Sequence, residues 1–588
     1  MNKHDSVWAF SFSPEYPAVS QRYRFGMQKR TRKRIAIGMG WLFLLGVSIS
    51  CRRKDDSDPP DVLLIIVDTL REDRSGKEHM PYVASLASQG VRFHRAYAQV
   101  PYTGPSHASI LTSTYPSQHG VRDNAQVLGE TLSTWPELLA QEGYRTAAFI
   151  SGYPLLAQFG FHRGFDHYDD RMGGDDVSDP FTYVERKADA TTEAASSWLK
   201  THGSSDQSIF LWVHYFDPHS PYIPPPKYAH LDPYNGEVRF VDDCIKELIS
   251  IWETCRPLRK RILIFLSDHG ESLGEHGEME HGTFLYESTL RIPLIFMGHR
   301  IPAGRSVDLA CETVDVLPTV LDLLGLPIPD ALSGRSLVPV WQGKAETRPV
   351  YGETFSSAIR FGWSELRCLI DESWKYISAP EPELYRLDND PGELVNLIET
   401  ETSLGAAMKA KLYQHPGTRE NRENNASVVL SKEQREAFLA LGYFSAGQTP
   451  VAEVQPPDQR DPTPQDPKAM LLVLDLVNRA MDEVASGRLE NARRSLERAL
   501  TEDPENFEIL RMLGEVHRDL GDLDRSLILF DRSLQALPTH VSARFGKVTV
   551  LLRMNRFQEA IENIDLCLEL IPENAEFLSV KEDLLSLL

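Results

Sequence analysis

The chain has 588 residues, room for more than one core. Its 41% hydrophobic and 25% charged content is that of a globular protein, and 84 Asp+Glu against 62 Lys+Arg give a formal charge of −22. That excess of carboxylates argues against a nucleic-acid partner, because phosphate backbones call for Lys and Arg.

The charge is unevenly spread. Residues 1–54 hold 11 Lys+Arg and 2 Asp+Glu, a balance of +9, and the remaining 51 and 82 leave −31 for residues 55–588. KRTRKR (29–34) precedes the uncharged run IAIGMGWLFLLGVSIS (35–50), which is followed by Cys51 and RRK. A basic region ahead of an apolar run predicts an export signal or a single membrane anchor. The run is near the lower limit for spanning, about 17 residues. The positive-inside rule keeps the basic flank in the cytoplasm and exports the body, to the periplasm or the cell surface. Cys51 resembles a bacterial lipoprotein cleavage site, with Ser48 where Leu is usual, and Met27 is an alternative start. The other cysteines, Cys244, Cys255, Cys311, Cys368 and Cys567, show no CxxC spacing and argue against structural zinc. Cys244 and Cys255 are expected as free thiols rather than a disulfide.

Three short β-branched or aromatic runs end in carboxylates: DVLLIIVDTL (61–70), IFLWVHYFD (209–217) and RILIFLSDHG (261–270). They read as buried parallel strands whose carboxyl ends reach a site. TLSTWPELLAQEGY and TTEAASSWLKTH between them are amphipathic helices, so the fold class is α/β with ligands at the strand carboxyl ends. GQTPVAEVQPPDQRDPTPQDP (447–467) reads as a solvated linker. After it DPEN, LPTH and IPEN place Pro504, Pro538 and Pro572 at steps of 34 residues (538−504 and 572−538). A 34-residue helix–turn–helix period ending in Pro is the tetratricopeptide signature. It predicts an all-α solenoid over 468–588 whose groove takes a protein or peptide partner.

Four segments carry the chemistry. Asp68 ends the first strand. In YTGPSHASILTSTYPSQHGV (102–121), Pro105 suits a first helical turn, which puts Thr103 just before a helix N-terminus where free N–H groups attract an anion. HYFDPHSPYIPP (214–225) presents Asp217 and His219 on a rigid loop. SDHGESLGEHGEMEHG (267–282) offers Asp268 and His269 at a strand end and returns His281 over the same face. Asp68, Asp268 and His269 form a mixed O/N shell for a divalent cation, which would stabilise the Thr103 oxyanion as a nucleophile. His219 and His281 are placed to bond the transferring group or protonate the leaving oxygen.

At these residues the sequence resembles the sulfatase family of the alkaline-phosphatase superfamily. VDTLREDR looks like the family's first metal-binding strand, TGPSHASILTSTYPSQHGV like its nucleophile motif, and SDHGESLGEHG…HGTFLYESTLRIPLI like its second metal motif. ETVDVLPTVLDLLGLPIPDALSGRSLVPV and ELYRLDNDPGELVNL resemble its C-terminal portion, so the likeness runs over about 61–397. The resemblance implies a sandwich around a mixed, mostly parallel sheet in a catalytic domain over 60–446. It implies one divalent ion (calcium, zinc or manganese) on Asp68, Thr103, Asp268 and His269. Thr103 becomes the nucleophile, His107 stands where sulfatases have Arg, and Asn124, His219 and His281 match positions that contact the transferred group. Thr103 replaces the Cys or Ser that sulfatases oxidise to formylglycine, and Thr69 replaces a second Asp. Thr cannot form that aldehyde, so the implied substrate is a sulfuric, phosphoric or phosphonic ester, with a leaning to the phosphodiesterase and phosphonate-hydrolase branches. Asp217 and His219 raise the question of a second ion; one ion is expected. A head-group transferase and an inactive scaffold acting through its repeats are the competing readings.

Overall fold

The computed structural model describes residues 58–172, 185–344, 346–419, 457–459, 463–572 and 574–587. The expected leader, with its anchor run and Cys51, and most of the expected linker lie outside the described residues. Among the described residues no helix is long and apolar enough to cross a membrane.

The main sheet has nine strands: β1 (Asp61–Val67), β2 (Gly90–Tyr97), β3 (Arg145–Phe149), β4 (His167–Asp169), β5 (Ile209–Tyr215), β6 (Arg261–Ser267), β7 (Arg291–Gly298), β8 (Arg305–Val307) and β9 (Cys311–Glu312). Their order is β4-β3-β5-β1-β6-β7-β2-β8, with β9 also on β2. Only the pairings of β7 with β6 and β2 are antiparallel, so the sheet is mixed and mostly parallel as expected. Alternation along β1 sends Val62, Leu64 and Ile66 into one core and Leu63, Ile65 and Val67 into the other. Each such side chain contributes about 1.5–3 kcal/mol on burial, which is why the strand reads as an unbroken apolar run. Helices α1 (Thr103–Thr112) and α4 (Val316–Leu324) cover the first face; α2 (Ala188–His202) and α3 (Pro233–Cys255) cover the second. At the other end of β1, Arg256 binds the Asp61 carboxylate and the carbonyls of Gly203, Ser205 and Gln207.

A second, antiparallel sheet follows: β10 (Val350–Thr354), β11 (Leu366–Asp371), β12 (Trp374–Ser378) and β13 (Glu383–Arg386), with the short helix α5 (Ser356–Phe361) between β10 and β11. The C-terminal region is wholly helical: α6 (Leu471–Ala485), α7 (Leu489–Glu502), α8 (Phe507–Asp519), α9 (Leu523–Ala536), α10 (Val541–Arg553), α11 (Phe557–Leu570) and α12 (Ala575–Ser586). Helices α7, α9 and α11 start 34 residues apart (523−489 and 557−523), and so do α8, α10 and α12 (541−507 and 575−541).

Two details depart from the sequence reading. The C-terminal end of the linker is not solvated: Asp466 is buried, its carboxylate accepts from the Glu381 amide at 2.9 Å, and Lys409 pairs with Asp458 at 2.7 Å. Thr103 is itself the first helical residue, with Tyr102 as the N-cap. Cys244, Cys255, Cys311, Cys368 and Cys567 are free thiols.

Candidate active site

Parallel register assembles the site. Val67 of β1 lies opposite Tyr215 of β5 and Ser267 of β6, so the residues just beyond the three strands share one edge of the sheet. Asp68 and Asp268 are the first residues past β1 and β6, on neighbouring strands about 4.8 Å apart. The chain turns at once after Asp68: Thr69 has φ 54°, the left-handed region, which costs a β-branched residue about 1–2 kcal/mol. Three bonds hold it there. Its N–H donates to Asp268 Oδ1 (3.3 Å), its hydroxyl to the Pro218 carbonyl (2.8 Å), and its own carbonyl accepts from the Tyr234 hydroxyl (2.8 Å). Thr69 thus clamps the Asp68 turn to the β5 and β6 loops and points its side chain at Pro218.

Thr103 opens α1 with its hydroxyl 3.4 Å from Asp68 Oδ2. His269 Nε2 lies 3.5 Å from Asp68 Oδ1 and 3.6 Å from Asp268 Oδ2. All four side chains are completely buried. His269 donates through Nδ1 to the Gly270 carbonyl (2.9 Å), because a carbonyl can only accept, and its Nε2 is left bare. Gly270 has no substitute: a Cβ there would lie 2.1 Å from the Ser288 carbonyl oxygen. Asp68 Oδ1, Asp268 Oδ2 and His269 Nε2 have no hydrogen-bond partner. Buried acceptors facing one another without a donor are costly, and a cation removes that cost. Asp68, Asp268 and His269 indeed offer ligand atoms within 4.8 Å of one another. The residues present therefore fit a divalent cation.

Electrostatics agree with that fit. Burial pushes the Asp68 carboxyl up, against the pull of the His281 charge and the Thr103 hydroxyl, and burial plus the Asp68 charge pushes Asp268 well above the carboxylate range. Burial pushes His269 well below its ordinary value. Two carboxylates that resist ionisation beside a neutral imidazole call for an external positive charge.

Over this centre His281 and His219 meet edge to face at 5.1 Å, and the His281 ring is 4.5 Å from that of His269. His219 donates to the Ser220 carbonyl (2.7 Å) and stacks on Phe216 (4.2 Å). His281 Nδ1 is held by Glu271 Oε1 (2.9 Å), whose other oxygen accepts from the Tyr222 hydroxyl (3.0 Å). Asn124 Oδ1 accepts from the Gly104 amide in the first turn of α1 (2.7 Å), and its amide nitrogen has no partner. His107 lies one turn along α1, 3.5 Å from Asp268 Oδ2. So the structure gathers Asp68, Thr103, His107, Asn124, His219, Asp268, His269 and His281.

Asp217 does not join them. Its Oδ2 accepts from the Ala188 amide at the start of α2 (2.8 Å) and its Oδ1 pairs with Lys187 (3.3 Å). The carboxylate is spent on the helix end and on Lys187. Two residues escaped the sequence reading. His214, on β5, sits 3.6 Å from Asp68 Oδ2; the signal was a single imidazole inside an apolar strand. Glu271, behind His281, was signalled only by its place in the loop after Asp268.

Carboxylates, imidazoles and a hydroxyl at the carboxyl edge of a covered α/β sheet define a hydrolytic site for ester bonds. Residues 60–326 match the Sulfatase family, residues 274–417 the N-sulphoglucosamine sulphohydrolase C-terminal domain, and residues 477–541 the tetratricopeptide repeat. The chain thus carries a Sulfatase-family domain over residues 60–326, with tetratricopeptide repeats behind it. Choline-sulfatase of Rhizobium meliloti (strain 1021) is 26% identical over 58% of this chain and 82% of that protein. Arylsulfatase K of Homo sapiens is 24% identical over 62% of this chain and 83% of that protein. The phosphonate monoester hydrolase structure from Agrobacterium radiobacter shares the fold, with TM-score 0.52 and 22% identity, over 60% of this chain and 95% of that one.

Proposed function

We propose that the domain hydrolyses sulfuric, phosphoric or phosphonic esters through a covalent ester on Thr103. The observation that carries this is the Thr103 hydroxyl at the first turn of α1, 3.4 Å from Asp68 and beside the Asp268–His269 pair. A divalent ion on Asp68, Thr103, Asp268 and His269 supplies Lewis acidity and lowers the cost of the alkoxide. The Thr103 proton passes toward Asp68 Oδ2 as Oγ1 bonds to the sulfur or phosphorus centre. The bond from that centre to the leaving oxygen breaks. His281, whose Nδ1 is held by Glu271, passes a proton from Nε2 to that oxygen. His219 and the free amide of Asn124 hydrogen-bond the transferred group. In the second half, water attacks the same centre as it gives a proton to His281 Nε2, the bond to Oγ1 breaks, and Asp68 returns the proton to Thr103 Oγ1.

The Thr103 methyl favours phosphoryl and phosphonyl esters. Formylglycine releases sulfate by collapsing to its aldehyde, whereas a Thr ester opens only by attack at the central atom, which suits phosphorus. The leader supports an extracytoplasmic, membrane-held location, and the repeats a protein or peptide partner.

The test is turnover of aryl sulfate, aryl phosphate and bis-aryl phosphodiester with and without EDTA. Thr103→Ala should lower turnover by about 10³-fold or more while ion binding to Asp68, Asp268 and His269 persists. Unchanged turnover in Thr103→Ala sinks the covalent route, and an intact adduct mass on Thr103 separates sulfate from phosphate.

A further inference from the structure

Behind His281 stands a row of side chains whose rear the proposed reaction leaves without a task. The Tyr222 hydroxyl donates to Glu271 Oε2 (3.0 Å), and Glu271 Oε1 meets His281 Nδ1 (2.9 Å). Glu271 is completely buried. Burying a carboxyl is costly even when it is bonded, so its position calls for an explanation. The row is anchored twice. Tyr222 packs edge to face on Tyr234 (5.5 Å), whose hydroxyl donates to the Thr69 carbonyl (2.8 Å), and Arg71 Nη1 donates to the Glu271 carbonyl (3.0 Å). Thr69 and Arg71 both belong to the turn that follows Asp68.

The row also joins two loops. Tyr222 belongs with His219 to the loop after β5, and Glu271 belongs with His281 to the loop after β6. Ten residues separate Glu271 from His281 (281−271), and that stretch holds one 3-10 turn and no longer element. A ring at its end takes its orientation from side-chain contacts. The contact at Nδ1 is the directional one: with Nδ1 on Glu271, Nε2 lies across the ring from it. A carboxyl behind an imidazole is a common way to orient an acid–base histidine.

We propose that Tyr222 and Glu271 are positioning residues that hold His281 Nε2 toward the leaving oxygen, and that the esters hydrolysed are those of alcohols and unactivated phenols. The inference rests on the proposed function and names its substrate class. A nitrophenolate departs without a proton. An alkoxide does not, and a well-aimed proton donor speeds its release by about 10²–10⁴-fold. As the bond to the leaving oxygen breaks, the proton on Nε2 goes to that oxygen, and the proton between Nδ1 and Oε1 stays in their shared bond. In the second half the attacking water refills Nε2, so the row ends as it began.

The experiment compares phenyl and 4-nitrophenyl esters of phosphate, sulfate and phenylphosphonate, with divalent cation added, in the full protein and in Glu271→Gln, Tyr222→Phe and His281→Ala. Melting temperature and bound metal show that each variant is folded and loaded. Tyr222→Phe keeps the packing on Tyr234 and carries the test if Glu271→Gln does not fold. Each of these two should lower kcat for the phenyl ester about tenfold more than for the 4-nitrophenyl ester, with KM little changed. Added to His281→Ala, either should cause no further selective loss, because its effect passes through that ring. Equal slowing of both esters overturns the inference and leaves the proposed function standing, and so does a selective loss that persists without His281. No turnover of either ester by the unaltered protein with any cation overturns both.

Discussion

At the residue scale, the buried charges set how the metal-free protein responds to pH. Burial holds Asp68 protonated up to about 7, and Glu237 and Glu278 up to about 8. A carboxyl whose folded pKa is raised stabilises the fold below its unfolded value, near 4, and that stability is lost as pH rises through the folded value. The imidazoles act the other way: His214 falls to about 3, so its contribution is complete above about 6.5 and is lost on acidification. Between pH 4 and 6.5 the two trends oppose each other; between pH 6.5 and 8 only the carboxyls remain. EDTA-treated protein should therefore melt at falling temperature from pH 6.5 to 8. A divalent cation should raise the melting temperature most at pH 8, where it meets ionised Asp68 and bare imidazoles. A melting temperature that climbs from pH 6.5 to 8 without metal, or ignores added cation, would contradict this account. The measurement is differential scanning fluorimetry across that range.

At the scale of elements, the three strands were legible because β1, β5 and β6 are buried on both faces and end where carboxylates begin. Asp68, Thr103, Asp268 and His269 could be assembled from the strand ends and the helix start alone. His214 could not, because which face of β5 it occupies is decided by register with β1, where it pairs with Ile66, and by α1 packing on that face. The loss of Asp217 to the Ala188 amide and Lys187 was hidden for the same reason: those partners lie across a stretch of chain without periodic signal. The link from β6 to β7 shows how little slack the site has. Gly270 fits because it carries no Cβ: one there would meet the Ser288 carbonyl oxygen at 2.1 Å, so any side chain forces backbone to move. Gly270→Ala should shift the His269 turn, cost about 1–3 kcal/mol and weaken ion binding. Urea denaturation and metal titration check it; unchanged metal affinity would show that the turn tolerates the shift.

At the scale of the whole molecule, the tetratricopeptide region is built onto the hydrolase domain rather than tethered to it. Phe361 and Trp363, from the segment between β10 and β11, share one core with Val473, Leu476, Leu496, Ile509 and Leu510 of the first repeats. The repeat motif DPEN supplies the polar half of the joint. Asp503 accepts from the Trp363 indole at 2.9 Å, and Asn506 donates to the Phe361 carbonyl at 3.0 Å while its Oδ1 caps α8. The 34-residue period made the repeats legible, yet nothing in it distinguishes an Asp and an Asn that close a turn from a pair that also grips another domain. Because Trp363 is buried and both packs and donates, Trp363→Ala should cost about 3–5 kcal/mol, chiefly by the cavity and in part by the one donor lost to Asp503. Trp363→Phe keeps much of the packing and should cost less. Hydrogen exchange locates the loss: amides of α7 and α8 should exchange faster in Trp363→Ala, with those of β1 and β6 unchanged. Equal acceleration in both regions would mean that hydrolase and repeats unfold as one cooperative body, so that the joint transmits strain to the site; acceleration in neither would remove Trp363 as the anchor.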